Sequence, residues 1–188
     1  MSSASLLEGG TLRALVVYES MFGNTRAVAL AIADGIAATM AVDAVEVGEA
    51  PVTIPDDVAL LVVGGPTHAH GMTNPRTRTD AAERAGDRLV SRGQGVREWL
   101  ERIKPGPGSI VTAAFDTRIK GPELLWGSAA KGAAKLLAAA GFRNPQARSF
   151  IVDGPTGPQF DRLLTGELDR AREWGRSLAA ALPVAPVR

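Results

Sequence analysis

The stretch Leu12 to Thr25, LRALVVYESMFGNT, constrains this chain more than any other part of it. Leu15, Val16 and Val17 form a near-continuous apolar run, the pattern of a strand buried on both faces. Ser20 to Thr25 then bring hydroxyls, a glycine and an amide. From Asn24 onward Val28, Ile32 and Ile36 recur every fourth residue, as on the buried face of a helix. A strand that passes through a short polar loop into a helix makes an anion cradle, because loop N–H groups and the positive end of the helix dipole face one point. Gly23 permits close backbone approach, and Ser20 and Thr25 can add hydroxyl donors. An ordinary turn with Asn24 or Thr25 as N-cap fits the same residues. The loop has neither the Gly-Lys-Ser/Thr ending of a P-loop nor a G-x-G-x-x-G pattern.

The rest of the chain reads as alternating strands and helices. Val42 to Val47 alternates apolar and polar residues, which suits an edge strand, and PVTIPDD at 51–57 is turn-rich. Val58 to Val63, VALLVV, is the most apolar short run and is expected to be a central parallel strand. It leads into GGPTHAHGMTNP, residues 64–75, a loop expected at the carboxyl edge of the sheet, where open α/β folds bind ligands. Asp80 and Glu83 predict a capped helix through Leu89, inside a polar excursion over 72–95 that reads as a lid, a docking surface or a plain insertion. Val96, Trp99, Leu100 and Ile103 predict a helix over 94–103 with Trp99 in the core.

Ser109 to Phe115 predicts the next strand, delivering Phe115, Asp116, Thr117 and Arg118 to the same edge. A helix over Gly127 to Ala140 follows, with Ser128 as cap and Gly141 as stop, then a strand over Arg148 to Val152 and the turn DGPTGPQ. A last helix spans Phe160 to Leu182, with Leu164, Leu168, Ala171, Trp174 and Leu178 on one face. Strand and helix alternation of this kind predicts βαβ units in one α/β domain over 11–182, between a flexible lead at 1–10 and a tail at 183–188. The lead has no basic start and no apolar core, so it does not read as a signal peptide.

Composition narrows the function. No apolar window approaches a membrane span, although 45% of the 188 residues are hydrophobic. The absence of cysteine removes disulfides, thiolate metal centres and thiol redox chemistry, and a cytoplasmic location follows by default. Net charge is +1, and the one basic bias, seven arginines against five acids over 76–102, reads as a solvated face. With few aromatics for base stacking, nucleic acid is set aside. His68 and His70 lie together, but no Cys or carboxylate cluster nearby completes a metal site.

Ser20, Gly23, Asn24 and Thr25 match the Ser/Thr-x-Ser/Thr-Gly-x-Thr loop of flavodoxins, and the Gly-x-Pro-Thr at 64–67 resembles the end of their second ligand-binding strand. From Leu12 to about Leu182 the chain therefore resembles the flavodoxin family. The resemblance implies a doubly wound α/β fold with an open five-stranded parallel sheet in the order 2-1-3-4-5. It also implies FMN as cofactor: its phosphate at Ser20, Met21, Phe22, Gly23, Asn24 and Thr25, and its ring beside Pro66, Thr67, His68, Ala69, His70 and Gly71. Phe115, Asp116, Thr117 and Arg118 would form a third loop on the other side of the ring, with Phe115, Trp126 or Met21 covering a ring face.

Two departures stand out. Phe22 replaces a hydroxyl of the family loop, and FDTR at 115–118 is not the usual aromatic-bearing, glycine-rich third loop. The implied function is an FMN-binding redox protein, with no catalytic side chain and no membrane insertion, that passes electrons between separate partners. Those partners are a redox protein or a small-molecule electron acceptor. An FMN-dependent reductase or oxidase of a quinone, porphyrinogen or similar molecule is the alternative, and a non-catalytic binding module is a third.

Overall fold

The computed structural model describes residues 11–68, 71–106, 109–121, 127–153 and 162–183. The first ten residues, the end of the tail, Ala69, His70, Trp126 and most of the DGPTGPQ turn lie outside them. In chain order the elements are β1 (Arg13–Tyr18), α1 (Asn24–Ala37), β2 (Ala41–Glu46), β3 (Val58–His68), β4 (Gly71–Met72) and α2 (Pro75–Ala85). They continue with α3 (Val96–Leu100), β5 (Val111–Ile119), α4 (Ala129–Ala139), β6 (Arg143–Asp153), β7 (Arg162–Leu163) and α5 (Glu167–Ala180).

The sheet order is β2-β1-β3-β5-β6-β7, and each of the first four pairings is parallel. The five long strands thus follow the expected 2-1-3-4-5 order. Two short antiparallel strands are added: β7 beside β6, and β4 as a hairpin arm on β3. The period-2 alternation of each strand divides the core between the two faces of the sheet. Leu15, Val17, Leu61 and Val63 face a cluster with Trp99, Leu100 and Leu137 of α3 and α4. Ala14, Val16, Leu60 and Val62 face a second cluster with Val28, Ile32, Trp174 and Leu178 of α1 and α5. Trp99 is a core residue, as expected, with its indole N–H donating to the Pro51 carbonyl at 3.2 Å.

Several boundaries differ from the sequence expectation. Helix α2 begins at Pro75, where the Asn74 side chain accepts from the Thr77 N–H at 3.1 Å and the Thr77 hydroxyl accepts from the Asn74 N–H at 3.0 Å. Proline at the first helical position pre-sets φ and needs no N–H there, so Asn-Pro-Arg-Thr outranks Asp80 and Glu83 as the start signal. Helix α2 stops at Gly86 (φ 55). The α3 helix is only five residues long, yet Val96, Trp99, Leu100 and Ile103 are all buried. Helix α5 starts at Glu167 because Arg162–Leu163 pairs with β6 first, and Leu168 is exposed rather than on the packed face.

Helices α1 and α5 cross in contact at two glycines. A methyl group at Gly35 would lie 2.0 Å from the Arg172 carbonyl oxygen, and one at Gly175 would lie 2.2 Å from that of Ile32. Both neighbours are backbone and cannot rotate away. Alanine has the better helix propensity by about 1 kcal/mol, but overpacking of a rigid contact costs about 1–3 kcal/mol and the separation of two helices adds to that. Gly175→Ala should therefore lower stability by about 2 kcal/mol, read as a fall in the urea midpoint at unchanged slope. A midpoint at or above that of the parent would show that the helices part freely.

Candidate functional site

Strands β1, β3 and β5 end at one edge, and polar side chains tie their ends together. After Tyr18 the chain leaves the sheet, the Glu19 N–H still bonding the Gly64 carbonyl at 2.9 Å. The loop turns into α1 at Gly23, whose φ of 97° lies in the left-handed region that only glycine adopts without strain. A Cβ there would meet nothing within 4 Å, so the backbone conformation, not space, requires the glycine. Ser20 is fully buried, and its hydroxyl oxygen accepts from the N–H groups of Gly23 at 3.1 Å and Arg26 at 3.2 Å. Its role in the structure is to hold the loop's shape. Thr25 is also buried, its Oγ1 2.7 Å from Thr117 Oγ1, which joins the start of α1 to the end of β5. Phe22 and Asn24 are half-buried.

The second segment is not a loop up to residue 68. Strand β3 continues through Pro66, Thr67 and His68, and His68 pairs with Gly71 across the hairpin. Ala69 and His70, expected beside the ring, lie outside the described residues. The third segment is likewise strand, since β5 runs to Ile119 and Asp116, Thr117 and Arg118 are inside it. Phe115 and Met21, expected as possible ring covers, are core residues at 0% and 1% exposure. The Phe115 ring packs under Gly64 and edge-on to Phe150, on the α1 and α5 side, so it does not reach the edge. Arg118 is half-buried and donates to the Gly121 carbonyl at 2.9 Å.

Two buried acidic side chains organise the edge. Asp116 is fully buried, and its Oδ2 accepts from the Ser128 hydroxyl at 2.7 Å, the Ala130 N–H at 2.9 Å and the Thr67 hydroxyl at 3.1 Å. Thr67 in turn accepts from the Ala129 N–H, and Ser128 from the Lys131 N–H, so β3, β5 and Ser128 together cap α4. Asp116 thus stands at a helix N-terminus, where negative charge is favoured.

Glu19, which the sequence reading passed over, is 1% exposed. Its Oε1 accepts from the Thr73 hydroxyl at 2.5 Å and its Oε2 from the Val96 N–H at the start of α3. Arg78 bonds Thr73 and both oxygens of Glu98. A charged residue directly after an apolar strand was the available signal for Glu19.

The excursion over 72–95 is strapped to the loop before α1. The Val90 and Ser91 N–H groups donate to the Met21 and Ser20 carbonyls at 3.2 and 2.8 Å, and the Ser91 hydroxyl accepts from the Ser20 N–H at 2.9 Å. His68 stacks on Phe22, with ring centroids 6.5 Å apart and planes 19° from parallel. Burial, with Arg84 adding to it, holds the imidazole below its ordinary pKa of 6.5, so at neutral pH it is uncharged.

Burial pushes the Glu19 carboxyl above its ordinary 4.5, against the lowering effect of its hydrogen bonds and of Arg78. The folded protein then keeps a proton that the unfolded chain has released. Glu19 contributes most stability below pH 4.5, and that contribution is lost as the pH rises through the folded-state value. Glu19→Gln, whose amide can face the Thr73 oxygen, should remove this slope. Urea midpoints between pH 4 and 7 should show the parent losing ground to the variant as pH rises, and parallel curves would refute it.

The arrangement has counterparts among known proteins. The flavodoxin family model matches residues 16–157. A flavodoxin from the domain Archaea superposes with a TM-score of 0.56 at 22% identity, over 90% of this chain and 97% of that one. The flavodoxin of Streptococcus pneumoniae TIGR4 gives 0.59 at 16% identity, over 90% and 99%. That of Megasphaera elsdenii, in its two-electron reduced form, gives 0.54 at 17%, over 89% and 99%. At such identities the structures speak for the fold alone. No curated protein sequence matches the chain. The family match spans the loop before α1, β3 with its Gly-Pro-Thr end, and the Asp116 cap, and on that ground the chain belongs to the flavodoxin family.

Proposed function

We infer that the chain binds FMN at the start of α1 and carries electrons between separate partners in the cytoplasm. The observation that carries this reading is a contrast among the helices that start at the binding edge. Helices α3 and α4 already have an internal acidic side chain accepting an N–H at their N-termini, from Glu19 and Asp116. Helix α1, 14 residues long, has no acidic residue in its first turn and no side-chain cap at Gly23. Open space stands over the glycine. A phosphate dianion fits that position, with backbone N–H groups and the helix dipole as its partners.

FMN, when bound, supplies one- and two-electron chemistry, and the protein supplies placement and environment. Ser20 keeps the loop in the shape that offers its N–H groups. Thr25 and Thr117 fix the loop against β5, and Thr67 and Asp116 fix β3 against α4. Partners that deliver and accept electrons are separate molecules in this reading. The strapped excursion and the uncharged His68 at the rim favour a second reading, a reductase or oxidase acting directly on a quinone or similar small molecule.

Purified protein should retain a yellow FMN band after desalting. Ser20→Ala together with Thr25→Ala should weaken FMN binding at least tenfold, about 1.4 kcal/mol, while binding of riboflavin, which lacks the phosphate, changes little. A protein that ignores FMN would reject both readings and leave a non-catalytic module. Consumption of NAD(P)H with a quinone and no added reductase would select the enzyme over the carrier.

A further inference from the structure

Phe22 stands where the family loop carries a hydroxyl, so it forgoes a side-chain contact to a phosphate. The structure shows what the ring does instead. It is half-buried and stacks on His68 at the end of β3, across the gap between the loop before α1 and the second segment. The imidazole also lies near α2, whose Thr77 backbone and Arg84 act in opposite directions on its proton affinity. His68 thus joins the end of β3 to the loop before α1. That loop is already strapped to the far end of the 72–95 excursion through Val90 and Ser91.

We propose that Phe22 and His68 form a clasp that locks the end of β3 onto the loop before α1, and that Phe22 is a positioning residue for cofactor retention. The proposal rests on the FMN reading for the word cofactor, but the clasp itself is a property of the chain. The stacked pair adds attraction beyond its buried area, and its loss changes how long a ligand stays in a site walled by both segments. Because the clasp acts through the walls and not through the phosphate, its loss should affect riboflavin and FMN by the same factor. It should also change the imidazole. Of the charged groups among the described residues, Arg84 on α2 acts on His68, and the Thr77 backbone opposes it. Removal of the Phe22 ring admits water and leaves those two in place.

The test uses the full chain. Phe22→Ala and Phe22→Ser should release FMN and riboflavin about tenfold faster in stopped-flow fluorescence, and Phe22→Tyr should behave as the parent. By NMR, with the two histidine signals told apart by His70→Gln, the His68 titration should move up toward 6.5 in Phe22→Ala and stay low in Phe22→Tyr. An unmoved His68 in Phe22→Ala would overturn the clasp, whether or not flavin binds. A Phe22→Ser protein that holds FMN as tightly as the parent, or tighter, would overturn the retention role by showing that the phosphate contact matters more. A colourless parent in which His68 still responds would reject the FMN reading and the retention role with it, and would leave the clasp standing as a structural contact.

Discussion

The parallel pairing of β1 with β3 is the constraint on which the rest of the structure depends. Both strands are buried on both faces, so neither can slip by one residue without exchanging Leu15 and Val17 for Ala14 and Val16 against the wrong helices. That register carries Tyr18 alongside Gly64 and so places the loop before α1 beside the last four residues of β3. Gly64 is part of the same constraint: the Phe115 ring fills the space that its side chain would take, which draws β5 in behind β3. The three strand ends arrive together because the core leaves them no alternative.

At the edge itself the problem changes from apolar packing to satisfying polar groups that packing has buried. Helix starts offer N–H groups, strand ends offer side chains, and the chain matches them across long sequence separations. Glu19 serves α3, while Thr67, Asp116 and Ser128 serve α4. Each match fixes one loop to another, so stability and site geometry share the same hydrogen bonds. The start of α1 differs, since Ser20 occupies two of its N–H groups with a neutral oxygen and brings no charge. An anion bound there would complete a pattern that acidic side chains complete elsewhere.

Much of this was legible before the fold was known. The periodicity of β1 and α1, the apolar run of β3, the burial of Trp99 and the Ser128 cap all follow from local patterns with one dominant physical cause. The Asn74–Thr77 start of α2 was legible too, but Asp80 and Glu83 offered a competing signal. The role of Asp116 was not, because in sequence it is a polar residue after an apolar run, and only the approach of Thr67 and Ser128 makes it a cap. Phe115 shows the same limit in reverse: an aromatic residue near a strand end looks available for a ligand until the second sheet face claims it. Leu168 is exposed because α5 turns Glu167, Ala171, Trp174 and Leu178 to the core instead.

The sequence by itself determined the alternation of strands and helices and, through its resemblance, the five-strand parallel sheet, since these rest on side-chain period and on residues adjacent in the chain. Only the tertiary structure decided which polar residues are consumed in holding the edge together. The reason is physical: a hydroxyl, carboxylate or ring has the same chemistry wherever it occurs, and its use depends on what other segments bring within about 3 Å for a hydrogen bond. Ser20 and Thr25 shape and tether the loop before α1, Glu19 ties β1 to α3, and Phe22 meets a histidine 46 residues away.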